Sequence, residues 1–488
     1  MKRYFFPFNL TAALLMMFDL CLAQDNHYAW SQFGARNSIL NNANLSRFED
    51  QSAVIVNPAT LADALQSSFN FNTNALGLNS IHFKNGLGEG FSITTTNINV
   101  LPAMASGVVK PKSDSRTWVL GYSLYSNITD NVAFSDRTES KLDIIDEAES
   151  PGAENYIAQY NINSSTDETS LVVGIGWHSK KQRMNLGVSQ TFTYTIQDYN
   201  QKYSAYAIPD VNAGASVDLI GTNYDYYSHF YKLIAHTRFG LTAKLERCDV
   251  GLTLTTPTLG FFGSGNILAD FNLINVRLNP DLSQPRESFI ANGEFKSLRV
   301  RYKYPFQAAL GISRPFGKVR LYGSISYNNQ IKSYNILDPG DEAFFQPPTE
   351  DNILYTQKLL SLWEVHRTVV NGSLAADWLV RENYHFLFSV RTDYHYGDID
   401  PEHGGFNADI KQWNNYHFTF GTQRVIGPSE WVIGLQYITA TRKDYPQPIS
   451  FTDPTEDNFF RGERETGKVT SKGLQLLLSY TFTFGGGQ

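Results

Sequence analysis

G-L-Q-L-L-L-S-Y-T-F-T-F, residues Gly473 to Phe484, is the stretch that decides the fold. Leu474, Leu476, Leu478, Tyr480, Phe482 and Phe484 share one face of an extended chain, and Gln475, Leu477, Ser479, Thr481 and Thr483 share the other. Successive side chains of a strand point to opposite faces, so this segment is greasy on one side and largely polar on the other. Leu298 to Phe306 has the same pattern, with Leu298, Val300, Tyr302, Tyr304 and Phe306 alternating with Arg299, Arg301, Lys303 and Pro305. In Tyr384 to Tyr394, Tyr384, Phe386, Phe388 and Val390 alternate with His385, Leu387, Ser389, Arg391 and Asp393. Apolar toward lipid and polar toward a lumen is the pattern of a transmembrane barrel strand, although a soluble sandwich alternates as well.

Connection lengths separate the two. From Thr117 on, long and short linkers take strict turns: 127–168 long, 179–182 short, 197–228 long, 247–249 short, 257–296 long, 314–318 short. The series continues through 329–362, 381–383, 397–412, 426–429 and 443–468. Short turns on one side and long loops on the other are the layout of an outer-membrane barrel, and a sandwich has no reason to sort its loops so. Two further strands fit near 67–83 and 90–111, joined by the Gly-rich 85–90 turn. The expected fold is all-β, a transmembrane antiparallel barrel of about 14 strands, an even number that leaves both termini on the periplasmic side.

Composition agrees. The 488 residues are 14% aromatic and only 18% charged, and mean hydropathy is -0.29. Beyond the leader no apolar run approaches the roughly 20 residues of a membrane helix, and inward polar residues dilute hydropathy in barrel strands. A net charge of -7 argues against a nucleic-acid partner. Residues 1–23 read as a signal peptide: Lys2 and Arg3, an apolar stretch, then Cys21-Leu22-Ala23 before Gln24. Asp19 and Leu20 fit a lipoprotein cleavage site poorly. After cleavage Cys248 is the sole thiol, which excludes an intramolecular disulfide.

Residues 24–66 are polar, Asn-rich and without sustained alternation, and read as a plug with one short helix around Asn37 to Leu45; 67–488 form the barrel with long extracellular loops. Within the plug stands Arg47 to Ala64, R-F-E-D-Q-S-A-V-I-V-N-P-A-T-L-A-D-A. Pro58 fixes its own φ and pushes Asn57 out of the helical region, so Asn57-Pro58-Ala59 ends the short apolar run Val54-Ile55-Val56. This segment resembles the N-terminal hatch of the FadL/TodX family of outer-membrane transport proteins, departing at Thr60, where that family usually has Gly. Thr117 to Tyr122, Phe239 to Lys244, Gly251 to Pro257 with Gly260 to Gly265, and Pro305 to Gly311 resemble the family's strands in order. The resemblance implies passive uptake of long-chain fatty acids or other hydrophobic compounds, a hatch closing the lumen, and an inward strand kink opening a sideways exit into outer-membrane lipid.

Pro102 lacks the ladder donor and Gly107 follows, so this pair marks either such a kink in the second strand or an ordinary bulge. The inferred lumen face is basic: Lys232, His236 and Arg238 share parity, as do Arg299, Arg301 and Lys303, with Arg320 and Arg391 on other strands. These residues line a solvated channel, pair with the plug's Glu49 and Asp50, or hold an anionic headgroup, for which Arg offers paired donors. Other chemistry is thin. His395, Asp398, Asp400, Glu402 and His403 match no standard metal spacing and read as a solvated loop; there is no G-x-S-x-G, and no enzyme, cofactor or metal is expected. Long Tyr-, Asn- and acid-rich loops such as Asp130 to Glu154 and Ile336 to Asp351 leave a second role open, a barrel that serves as partner or scaffold in protein secretion or surface attachment.

Overall fold

A computed structural model describes residues 27–28, 32–99, 103–111, 117–179, 183–210, 212, 214–277, 285–340, 360–398, 406–407 and 411–484. The leader lies outside them. Fourteen antiparallel strands close into a barrel. They are β1 (Ser68–Lys84), β2 in two pieces (Ile93–Asn99 and Ala103–Val109), β3 (Trp118–Leu142), β4 (Glu154–Ser179), β5 (Met184–Ile208) and β6 (Ile220–Lys244). Next come β7 (Asp249–Thr255 and Leu259–Val276), β8 (Glu287–Arg299 and Gln307–Phe316), β9 (Val319–Asn328), β10 (Val369–Arg381) and β11 (Tyr384–Asp393). The last are β12 (Asn415–Ile426), β13 (Ser429–Pro446) and β14 (Thr466–Thr483). β14 pairs with β1 from Thr483↔Ser68 to Lys468↔Lys84 and shuts the ring.

The wall is inside-out relative to a soluble protein. On β14 Leu474 is 40% exposed while Gln475, Ser479 and Thr481 are buried. On β11 Phe388 and Val390 are exposed, and Leu387, Ser389, Arg391 and Asp393 face inward. Exposed Leu310, Ile312, Leu321, Leu374, Phe418, Phe420, Ile433 and Leu435 continue the outward apolar belt across β8, β9, β10, β12 and β13. No helix of the described residues is long and apolar enough to cross a membrane. The outward apolar belt on a closed barrel is the surface suited to a bilayer's hydrocarbon.

Two expectations are corrected. The connections expected to be long at 127–168 and 197–228 are mostly strand: β3 has 25 residues and β4 has 26, paired from Trp118↔Trp177 to Leu142↔Glu154. A bilayer needs about 9–11 residues per strand. The rest stands above the belt, where both faces meet water or neighbouring loops; the backbone ladder persists there without the apolar alternation that sequence can show. The second correction concerns Leu298 to Phe306, which is not one strand. β8 leaves the wall between Arg299 and Gln307, Val300 and Tyr302 are buried inside, and Arg301 and Lys303 are exposed.

The plug fills the lumen from the periplasmic end. Asn37–Leu40 is one helical turn rather than a helix reaching Leu45. Its first amides are held by Asp50, whose Oδ2 accepts from Arg36 N at 2.6 Å and Asn37 N at 2.8 Å. Ala53–Val56 is a second turn, ended at Asn57 in extended geometry, and Pro58–Asp63 is a 3-10 helix with Pro at its start. Ile39 and Leu40 pack with Tyr322, Ala375, Leu387, Val432 and Leu477; Val54 and Leu61 pack with Val108, Val119 and Val172. The outer mouth is roofed by loops tied through Arg286, which pairs with Glu456 at 2.6 Å and Glu149 at 2.5 Å.

Candidate functional site

The plug touches the wall through backbone as much as through side chains, and the wall makes room by omitting its own. A Cβ on Gly187 would stand 2.3 Å from Ala59 N, and one on Gly240 would stand 2.1 Å from Asn57 Oδ1. Gly121 and Gly174 receive Leu61 and Val54, Gly176 the Pro58 carbonyl, Gly251 and Gly311 Leu45, and Gly421 and Gly434 Ile39. These glycines are cross-strand partners: Gly121↔Gly174, Gly176↔Gly187, Gly187↔Gly240, Gly251↔Gly311 and Gly421↔Gly434. They form a girdle of missing side chains shaped to the plug. In the sequence each is a lone Gly inside a strand; the signal that could have found the girdle is that cross-strand recurrence, which needs the register.

Asn57, Pro58 and Ala59 are buried at the centre of this seat. Asn57 Nδ2 donates to Leu45 O at 2.7 Å and to Leu241 O on β6 at 3.3 Å, while its Oδ1 accepts from Ala59 N at 3.1 Å. One side chain thereby joins both halves of the plug and the wall. Around it, Asn41 Nδ2 donates to Ser389 Oγ and Thr419 Oγ1, Ser324 donates to Asn42 O, and Gln51 donates to Ser68.

Charges latch the plug, but not in the expected sense. Glu49 pairs with Arg36 at 3.2 Å and Arg47 at 3.3 Å inside the plug and accepts from Tyr322 of the wall. Asp50 serves the backbone. Two bridges to the wall run the other way, from plug Arg36 to Asp377 and plug Arg47 to Asp249, while plug Asp63 pairs with wall Lys244 at 2.6 Å in the expected sense but through a different acid and base. Burial works against the Arg36 charge, but Glu49, Tyr322, Asp377 and Glu430 outweigh it and raise its pKa.

Between plug and wall lie two adjoining cavities of about 180 and 150 Å³. Tyr28, Asn42, Ile55, Val56, Arg238, Thr255 and Gln307 line both. The first reaches Tyr125, Glu168 and Tyr304, and the second reaches Arg391.

The basic candidates do not form one site. Arg238 lies in the cavities with its Nε donating to Thr255 at 2.9 Å; among the described residues no carboxylate ion-pairs with it. Arg391 faces the second cavity but is neutralised by Asp393 at 3.7 Å and sits beside His417. Arg320 is at the periplasmic end, paired with Asp249 at 3.5 Å. Lys232 is buried on the inner face, its side chain laid against Gly260 and Gly263. Arg299 and Arg301 are exposed rather than lumenal. Arg299 pairs with Ser264 on the face of Tyr231, whose ring meets outward Tyr194, and Arg301 alternates with buried Val300 and Tyr302. Greasy parity was read as lipid-facing there, but Tyr302 and Tyr304 are turned inward by the excursion of β8.

The wall is interrupted twice. Among the described residues, the upper piece of β2 (Ile93–Asn99) pairs with β1 alone, and above Tyr125 β3 pairs with β4 alone, so β2 and β3 part there. Pro102 lies outside the described residues. Gly107 is in regular pairing with Phe69 and Tyr122, under the Tyr122 ring. The second interruption is the departure of β8 from β7 between Arg299↔Ser264 and Gln307↔Thr255. Of the acidic and histidine loop residues singled out in the sequence, Asp400, Glu402 and His403 lie outside the described residues, and no group of three or more metal-binding side chains occurs among the described ones.

Comparison with solved structures places this architecture. A FadL homologue of Pseudomonas aeruginosa shares 13% identity, with 94% of this chain and 100% of that one aligned at a TM-score of 0.55. The toluene transporter TodX of P. putida shares 12% over 93% and 99% at 0.54, and the toluene transporter TbuX of Ralstonia pickettii 13% over 94% and 100% at 0.52. No protein-family profile matches the chain, and no curated protein sequence matches significantly. The resemblance read from the sequence is therefore borne out in the fold, across nearly the full length of these barrels.

Proposed function

We propose that this chain, folded as the FadL- and TodX-type barrels are, is an outer-membrane channel for passive uptake of hydrophobic compounds, long-chain fatty acids among them. The observation that carries the reading is the parting of upper β2 (Ile93–Asn99) from β3 above a seated plug, among the described residues. A barrel closes because every edge group finds a neighbour, and unpaired strand edge facing lipid is costly. Among the described residues β3 keeps an edge above Tyr125 that β2 does not pair, beside a cavity that Tyr125 itself lines. A greasy solute entering from outside meets the plug and a polar periplasmic seat, so the favourable way on is sideways into the bilayer where β2 and β3 part. The transmembrane step needs no energy source beyond the concentration gradient and capture inside the cell.

Deleting residues 24–66 tests the reading. Uptake of a labelled fatty acid and ion conductance are both expected to change, conductance upward; unchanged values in both would refute it. The tall β3–β6 hairpins also suit a surface partner in secretion or attachment. A secretion complex copurifying with a lipid-free barrel would favour that role.

A further inference from the structure

The second interruption has the makings of a side window of its own. Below it, Thr258 N donates to Tyr304 O at 3.2 Å and Tyr304 N donates to Thr258 Oγ1 at 2.8 Å; above it, Arg299 pairs with Ser264. Between these points residues 259–263 of β7 pair with β6 alone, an open edge of about 16 Å at roughly 3.3 Å per residue. Its lower lip is apolar and faces lipid: Leu259 is 71% exposed, Phe261 59% and Phe262 58%, and Phe261 sits beside outward Phe192. Its upper lip carries exposed Arg299 and Arg301, with no carboxylate paired to either among the described residues.

Behind the window stand cations and an aromatic. Lys232 lies over Gly260 and Gly263, whose missing side chains let it lie flat, and Arg238 waits in the cavity beyond. Tyr304 lines that cavity and crosses the lumen to donate to Glu168 Oε1 at 2.6 Å, with Tyr302 and Tyr28 packed around it. On β8 the exposed apolar side chains cluster from Phe306 to Phe316, with Ile290 a further one beyond Arg299, so the apolar lip adjoins the upper end of the cluster and the arginines follow it.

We infer that this gap between β7 and β8 is a second lateral window, which admits from the outer leaflet an amphiphile with a single anionic head, the head passing from Arg299 and Arg301 to Lys232 and Arg238 while Tyr304 swings aside. Arginine pairs bidentately with carboxylate or phosphate, and an unpaired cation beside lipid is costly unless an anion visits it. The inference rests on the uptake reading, and the test separates the two.

Cells carrying the full-length protein are supplied with a labelled long-chain carboxylate or the matching uncharged long-chain alcohol. In the R299Q/R301Q variant, carboxylate uptake is expected to fall about tenfold, the size of one lost charge-assisted contact, with alcohol uptake unchanged. Equal uptake of carboxylate by variant and parent, or an equal fall for both probes, overturns the window. Parent cells that take up neither probe overturn the uptake reading and the window with it. As a second measurement, a photoreactive residue at Phe262 is expected to capture the carboxylate probe, and one at Leu374, on the belt away from the window, is not; equal capture at both overturns the proposal.

Discussion

Replacing Gly187 by alanine adds one methyl group at the point where wall and plug are closest. The new Cβ would lie 2.3 Å from Ala59 N and Pro58 C and 2.5 Å from Pro58 O, all backbone atoms that no rotamer can move. Ordinary contact begins near 3.4 Å, so the Asn57–Ala59 corner must retreat by about 1 Å. Asn57 then loses its reach to Leu241 O, already 3.3 Å, and strains its bond to Ala59 N at 3.1 Å. Overpacking costs about 1–3 kcal/mol and each lost hydrogen bond about 0.5–1.5 kcal/mol, together about 2–5 kcal/mol. That corresponds to at least a thirtyfold rise in the unseated fraction. Gly372 provides the control, since a Cβ there meets only Ser324 O at 3.9 Å. Purified barrels in planar bilayers should show raised conductance, and a plug cleaved faster by protease, for Gly187→Ala but not for Gly372→Ala. A Gly187→Ala barrel as tight and as protected as the parent would refute the girdle as the seat.

Three further outcomes follow from the same seat and its roof. Arg36→Met removes the cation shared by Glu49 and Asp377, leaving Arg47 beside the first and His385 beside the second, a loss of about 1–3 kcal/mol that protease sensitivity of the plug should report. The plug should also loosen in acid. Burial lowers the pKa of His27 from 6.5, Lys411 and Arg391 lower it further, and Asp393 and the Trp413 carbonyl only partly offset this; His395, 6.4 Å away, is held well below its usual value by burial, His27, Arg367 and Arg442. Because both pKa values are depressed in the seated state, protons favour the unseated one, so the seat is at full strength above pH 6.5 and weakens as pH falls below it. Plug cleavage measured from pH 8 to 5 should rise, and His27→Gln should flatten the rise. Finally, Arg286→Gln removes the tie between Glu149 and Glu456 and should make the outer loops more protease-sensitive without changing barrel stability.

The belt was legible because lipid punishes a polar side chain on every second position, so Gly473 to Phe484 and Tyr384 to Tyr394 could be read from period alone. The count of strands followed from the turns, which use short local chemistry. Where that solvent constraint stops, so did the reading: the upper halves of β3 to β6 look like loops because water accepts any residue there. Leu298 to Phe306 misled for the opposite reason, since an inward-packed aromatic and a lipid-facing one share the same alternation, and only the departure of β8 from β7 distinguishes them. The plug's position was visible in Asn57-Pro58, but its seat was not, because the decisive residues are absences spread over eight strands.

The girdle also fixes an order of events. A corner that fits its socket to within a methyl group cannot be pushed up through a finished ring, whose strands would have to part along their whole ladders. Residue 67 joins the plug directly to β1, and β1 meets β14 only after every other strand has been made. The final seam is therefore drawn around a cork already in place, and a chain whose cork folds late would zip into an open pore.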